Sequence, residues 1–133
     1  MHWRSGTSNT GSGITLNPIT RTPHNATSVL ESDIPVVAIC GATAGLARIG
    51  VLNDRYHTSS VAAYLGGQPG YEGQSYYRNS RAVSDGGLVT AGPQSPVQFA
   101  TQTLRVLGLA SDSILQAYES VFCNGDTSAY AAL

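Results

Sequence analysis

Lysine is absent from this chain of 133 residues, and each of its seven basic side chains is an arginine. Against eight Asp plus Glu they leave a formal charge of -1, and they are scattered from Arg4 to Arg105. Recognition of nucleic acid through its phosphates needs a clustered basic face, so no nucleic-acid partner is expected. The missing lysine also excludes a phosphate loop of the Gly-x4-Gly-Lys kind. Charged residues reach only 11%, well under the usual quarter or so, which argues against a charged disordered tail. Cysteine is scarce too: Cys40 and Cys123 lie far apart in different contexts, whereas small secreted disulfide frameworks carry several bridges, so no bridge is expected. No apolar run approaches the roughly 18 residues of a membrane span, and Met1-His2-Trp3-Arg4-Ser5 leads into polar residues without an apolar signal segment. The expectation is a cytoplasmic protein with no membrane partner. His2 and His24 have no metal-ligand spacing, so no metal is expected there, and the cysteine chemistry considered below implies no organic cofactor.

What is present divides the chain in two. Residues 1–29 contain sixteen Ser, Thr, Asn or Gly, with Pro18 and Pro23 among them, and sustain no period of 2 or 3.6. The composition predicts an irregular polar arm over residues 1–33, docked through Trp3, Ile14, Leu16 and Ile19, with a helical turn from Ala26 to Glu31. Asn25-Ala26-Thr27 fits a glycosylation acceptor but needs a secretory route. Residues 34–133 form the domain. Ile34-Pro35-Val36-Val37-Ala38-Ile39 is a continuous apolar run of strand length, the pattern of a strand covered on both faces. The small residues from Gly41 to Ile49 follow as a helix stopped by Gly50. Asp85-Gly86-Gly87 between two short β-prone runs predicts a hairpin. Ser95-Pro96-Val97-Gln98 has the form of a capping box and opens a helix expected to bury Val97, Ala100, Leu104 and Leu107. A last helix runs from Asp112, carrying Ile114, Leu115, Tyr118, Val121 and Phe122, to a stop at Asn124-Gly125. Strands alternating with helices predict an α/β sandwich with a parallel sheet.

Cys40 falls in the turn between the first strand and its helix, at the edge where open α/β sheets bind ligands. Its thiol faces the unpaired N–H groups of the helix start, and Gly41 offers a backbone N–H to a substrate oxygen without side-chain obstruction, as in a nucleophile elbow with its oxyanion hole. A free cysteine is also often simply a buried small hydrophobe, and position alone leaves both readings open. His57, in Asn53-Asp54-Arg55-Tyr56-His57-Thr58-Ser59, returns to the same sheet edge if the chain completes a βαβ unit. There it would be a general base or orient the thiol; the alternative is a surface loop histidine. Residues 64–81 contain four tyrosines among glycines, suited to pocket walls or to plain packing. Cys123 is expected to pack with Phe122.

These residues carry a resemblance. Val37-Ala38-Ile39-Cys40-Gly41-Ala42-Thr43, with Leu46-Ala47-Arg48-Ile49-Gly50-Val51-Leu52 and His57-Thr58-Ser59, resembles the nucleophile-elbow region of the ThiJ/PfpI family, a branch of the class I glutamine-amidotransferase-like superfamily. Leu88-Val89-Thr90-Ala91-Gly92 and Pro96-Val97-Gln98-Phe99-Ala100 are similar to the family's later strand and helix. The resemblance implies a flavodoxin-like three-layer sandwich, N-terminally truncated relative to the family. It implies Cys40 as nucleophile and His57 as proton carrier. Gly41, Ala42 and Thr43 become the oxyanion or substrate-binding residues. Family activities include peptide or amide hydrolysis, glyoxalase or deglycase chemistry, isocyanide hydration, stress protection and transcriptional regulation.

Members usually begin with a βαβ unit whose first strand and following helix supply a Glu that hydrogen-bonds the cysteine, and then a strand ending in Pro-Gly-Gly. No such unit is recognisable here, and Glu31, Glu72 and Glu119 do not stand at a strand end ahead of Cys40. Gln98 replaces the acidic residue of the later motif. Two readings follow: a cysteine-dependent hydrolase or lyase acting on a small-molecule carbonyl or amide substrate, or a non-catalytic thiol sensor or interaction module. A homo-oligomer, or a second chain supplying the missing N-terminal unit, is the expected partner.

Overall fold

The structure, a computed structural model, describes residues 26–133. The expected docking of Trp3, Ile14, Leu16 and Ile19, and Asn25 of the acceptor pattern, lie outside the described residues. Residues 26–31 are helical, as the composition predicts. Ala26 and Leu30, four apart and therefore on one helix face, are buried in the core. The packed body thus begins ahead of Ile34.

Strand β1 is Val36–Ile39 and is followed by helix α1, Ala42–Arg48. After a loop come helix α2, Ala62–Gly66, and a 3-10 turn over Gln74–Tyr76. Strands β2, Ala82–Asp85, and β3, Leu88–Ala91, form the hairpin. Gly86 and Gly87 both take positive φ, 56° and 83°, the requirement of a two-residue turn matched to strand twist. Helix α3, Pro96–Val106, and helix α4, Asp112–Asn124, complete the chain with a 3-10 segment over Thr127–Ala132. Gly125 ends α4 in the left-handed region, φ 74°, as its position predicts.

The sheet order is β1-β3-β2. β1 runs parallel to β3, Val36 facing Leu88 and Ile39 facing Ala91, and β2 adds an antiparallel edge. This is an α/β fold with the expected parallel pair at its heart. Central β3 is buried along its whole length, and its core neighbours include Leu46, Ala47, Leu52 and Leu65. β1 departs from expectation. Only its Ala38 is buried, while Ile34 just ahead of it and Val37 within it are 54% and 40% exposed.

The capping box at α3 does not form. Ser95 is the N-cap residue, with φ -129° and ψ 49°, and no side-chain cap bond is made. Its Oγ is buried without a partner, and the Gln98 amide donates to Cys123 Sγ at 3.0 Å instead of reaching back. Val97, Ala100 and Leu104 are half-buried, Leu107 is exposed, and Thr101 is the α3 residue that is fully buried. Cys123 is exposed and free, as is Cys40. No described helix is long and apolar enough to cross a membrane.

Candidate functional site

The site is built where β1 stops. Cys40 continues the parallel ladder by donating its N–H to Ala91 O at 3.0 Å, then turns to φ 58°. That left-handed conformation disfavours an L-residue with a Cβ by about 1 kcal/mol or more. Between a strand and the helix that follows it, this conformation makes the sharp turn that lifts a side chain out of the sheet edge. The consequence is visible in exposure: Cys40, Gly41 and Ala42 are all exposed, and Thr43 is the first residue turned inward. Among the described residues the backbone N–H groups of Gly41 and Ala42 donate to no protein acceptor. A thiol and two free donors therefore share one exposed bend.

Thr43 does not belong to that exposed surface, contrary to its expected place among the substrate-binding residues. It is fully buried. Its hydroxyl donates to Cys40 O at 2.7 Å and lies 2.8 Å from Ser59 Oγ, while its N–H also donates to Cys40 O, at 3.1 Å. The inward turn follows from helix geometry, because the third residue past a tight turn has its side chain within reach of the carbonyl three positions earlier.

The chain returns after α1 toward the end of β3 but adds no strand to the sheet, so the expected βαβ unit does not form there, and a residue other than His57 reaches the bend. Residues 57–59 run beside the end of β3, with Thr58 N–H donating to Thr90 Oγ1 at 2.9 Å. Ser59, two residues beyond His57, meets the elbow through Thr43. His57 is fully buried. Its Nδ1 lies 2.7 Å from Arg55 O and its Nε2 lies 2.9 Å from the Tyr71 hydroxyl. Nδ1 therefore carries the proton donated to the carbonyl, and Nε2 accepts from the phenol. Tyr71 and Tyr77 stand edge-on to the ring, at 5.7 and 5.9 Å. Burial depresses the His57 pKa below the ordinary imidazole value, and the nearby Arg78 charge adds to this, against the Arg55 carbonyl, which favours the proton. The result is a neutral imidazole with both nitrogens engaged, bracing the tyrosine loop.

That loop answers in part to the packing alternative. Tyr71 and Tyr77 enclose His57, and Tyr76 stacks at 5.3 Å on Tyr56, which carries the Arg78 guanidinium at 4.2 Å over its ring. Tyr64 differs. Its hydroxyl lies 3.9 Å from where a Cβ on Gly41 would stand, and among the described residues it has no hydrogen-bond partner. Ser59, beside the elbow, was not singled out in the sequence, and Tyr64 was read only as one of four loop tyrosines. A glycine at position 41 gave no sign of what stands over it, and a serine in a Thr-Ser-Ser run carries no distinguishing pattern.

Among the described residues no cluster of His, Cys, Asp or Glu is arranged to hold a metal. A shallow groove of about 190 Å³, lined by Glu31, Gly50, Asp54 and Arg55 among others, lies at the opposite end of α1 from Cys40.

The DJ-1/PfpI family profile matches residues 15–106. The chain is 42% identical over 90 residues to a Bacillus subtilis protein described as the uncharacterized protease YoaZ, covering 67% of this chain and 43% of that protein. It is 32% identical over 84 residues to a second such B. subtilis protein, the uncharacterized protease YdeA, covering 63% and 43%. It therefore spans less than half the length of these curated relatives. Its fold is similar to that of a ThiJ/PfpI family protein from Bacillus anthracis, with a TM-score of 0.81 at 30% identity over 89% of this chain and 57% of that one. A DJ-1 superfamily protein from Agrobacterium tumefaciens gives a TM-score of 0.67 at 37% identity, covering 74% and 54%.

Proposed function

Because this chain belongs to the DJ-1/PfpI family, we propose that it contributes a cysteine-dependent hydrolase or lyase site for a small carbonyl or amide compound, with Cys40 as nucleophile. One observation carries the reading: an exposed cysteine held at φ 58° at the end of a strand, followed directly by two backbone N–H groups that donate to no acceptor among the described residues. In the hydrolytic form, Cys40 Sγ attacks the carbonyl carbon and gives up its proton to solvent. The oxygen that gains charge is met by the N–H groups of Gly41 and Ala42. The C–N or C–O bond then breaks, the leaving group takes a proton, and water hydrolyses the thioester to restore the thiol. His57 serves this site as a brace for the loop rather than as a proton carrier, because neither ring nitrogen is free. The description of two relatives as proteases supports the hydrolytic form. Two free thiols fit a reducing compartment such as the cytoplasm.

The test is hydrolysis of small esters and amides, with methylglyoxal turnover alongside, by the protein and by Cys40→Ser. Loss of turnover with an unchanged circular dichroism spectrum supports the reading; turnover that survives the substitution overturns it. A second reading, a thiol sensor, is favoured by the engaged His57 ring, which leaves that side chain unable to serve Cys40 as a base. It predicts oxidation or alkylation of Cys40 without turnover.

The proposal includes a partner. Among the described residues β1 pairs with β3 alone, and its exposed Val37 lies beside the site. An added parallel strand from a second polypeptide, an N-terminal half in preference to another copy of this chain, would satisfy its open edge. Native mass spectrometry of material purified from its source tests this: a 13.8 kDa species that stays alone and folds cooperatively overturns it.

A further inference from the structure

The polar residues packed behind the elbow have no place in that chemistry, yet they reach it through one peptide group. The carbonyl of Cys40 and the N–H of Gly41 belong to a single planar unit, and the peptide bonds of the described residues are trans. In a trans peptide the C=O and N–H point in opposite directions. Whatever fixes the direction of Cys40 O therefore fixes the direction of the Gly41 N–H.

Two donors fix that oxygen, and both come from Thr43: its N–H and its hydroxyl. A threonine hydroxyl has one hydrogen, and here it is committed to Cys40 O. The 2.8 Å contact between Thr43 Oγ1 and Ser59 Oγ is consequently a bond donated by Ser59. The donors run in one direction, from Ser59 to Thr43 to Cys40 O. Ser59 and Thr43 are both buried, and so is the bond between their hydroxyls, whereas the bond to Cys40 O is part-buried. Ser59 is itself held in place. Its own carbonyl lies only 2.8 Å from the position a Cβ on Gly92 would take, and the next residue back, Ala91, accepts the Cys40 N–H. The end of β3 thus carries both Cys40 and the serine that stands behind it.

We propose that Ser59 is a positioning residue of the Cys40 site, acting through Thr43 to aim the Gly41 N–H at the oxygen of a bound carbonyl group. This rests on the reading of Cys40 as a nucleophile. Loss of the Ser59 hydroxyl leaves Thr43 Oγ1 free to turn, and the Cys40–Gly41 peptide then loses the shorter of its two restraints, 2.7 Å against 3.1 Å.

The experiment compares two reactions of the same thiol. Alkylation by iodoacetamide forms the S–C bond as iodide leaves and the thiol proton passes to solvent; no carbonyl oxygen gains charge. Acylation by p-nitrophenyl acetate passes through a tetrahedral oxyanion before p-nitrophenolate leaves, the thiol proton again going to solvent, and this step uses the Gly41 N–H. Removal of a whole oxyanion donor lowers rates about 10²–10³-fold, so loss of its aim is expected to lower the Cys40 acylation rate about tenfold in Ser59→Ala. The alkylation rate of Cys40 is expected to stay within about twofold, and Ser59→Thr, which keeps the hydroxyl, to restore acylation. Thr43→Val carries the same test should Ser59→Ala fail to fold. Equal changes in both reactions, or no change in either, overturn the role of Ser59. A native protein in which Cys40 is acylated no faster than Cys123 overturns instead the reading on which that role rests.

Discussion

The two ends of this molecule invert the usual distribution of residues. Around the carboxyl end of β3 the buried side chains are polar: Thr43, His57, Thr58, Ser59 and Thr90. On α4 the exposed side chains are apolar, with Ile114, Tyr118 and Phe122 spaced four apart along one face at 42%, 39% and 50% exposure. Phe122 meets Tyr118 at 4.5 Å and Tyr130 at 6.1 Å, so the stripe is partly clad in its own aromatics. A buried hydroxyl is costly unless bonded, and nearly all of those near β3 are bonded to one specific partner. An exposed aromatic stripe costs little in shape and specifies little. The difference teaches where precision resides. The elbow end is fixed by directional bonds between residues far apart in sequence, and the helical end by adaptable apolar contact.

Substitutions at the two ends should therefore differ in scale. Leu65→Ala, in α2 and fully buried, is expected to cost about 2–5 kcal/mol, and Phe122→Ala on the open stripe a clearly smaller amount; urea denaturation of both measures the gap. Comparable losses would break the comparison. Gly73→Ala should be nearly as severe as the first, because a Cβ there would overlap Leu52 O and press within 3.0 Å of His57 Cε1, an overpacking that costs roughly 1–3 kcal/mol or more.

The His57 prediction concerns pH. Its folded pKa lies below the ordinary 6.5 through burial first and Arg78 in addition, so the unfolded chain takes up its proton before the folded one does. The stability this contributes is fully present above about pH 6.5 and is lost as pH falls from there through the folded value. His57→Gln should flatten that part of the stability curve, read by thermal melts from pH 8 to 5; an undiminished slope would show that the imidazole is not held neutral.

A smaller effect is expected at Ser95. Since its Oγ is buried and unpartnered, Ser95→Ala should be neutral or stabilising by up to about 1 kcal/mol, whereas a working N-cap would make the same change cost about 1 kcal/mol. Smallest of all is Tyr64→Phe, expected to shift stability by no more than about 0.5 kcal/mol, because its hydroxyl has no protein partner among the described residues.

The sequence made the local devices legible and the long-range ones not. The β1–Cys40–α1 turn, the Gly86-Gly87 hairpin and the Gly125 stop all follow from backbone chemistry within a few residues, which a single chain exposes to view. The family motifs around Cys40 and at residues 88–100 were readable for the same reason. Ser59 was not, because its bond to Thr43 spans sixteen positions and depends on the register in which residues 57–59 return along β3; a shift of two residues separates the expected His57 from the observed Ser59. The missing cap bond at Ser95 is a matter of local conformation that no spacing reveals. The burial expected of Leu107 and Val37 assumed covering layers, and both side chains are exposed.

The most direct test of the account places its two cysteines in competition within one sample. Both are exposed and free, but of the two only Cys40 stands at a sharp strand-to-helix turn beside backbone donors that have no acceptor among the described residues, while Cys123 receives the Gln98 amide near the end of α4. Brief exposure to p-nitrophenyl acetate followed by peptide mass spectrometry reads the acyl group on each. The account predicts acetyl on Cys40 at least about tenfold ahead of Cys123, the scale on which oxyanion donors act; equal acetylation of the two thiols would contradict it.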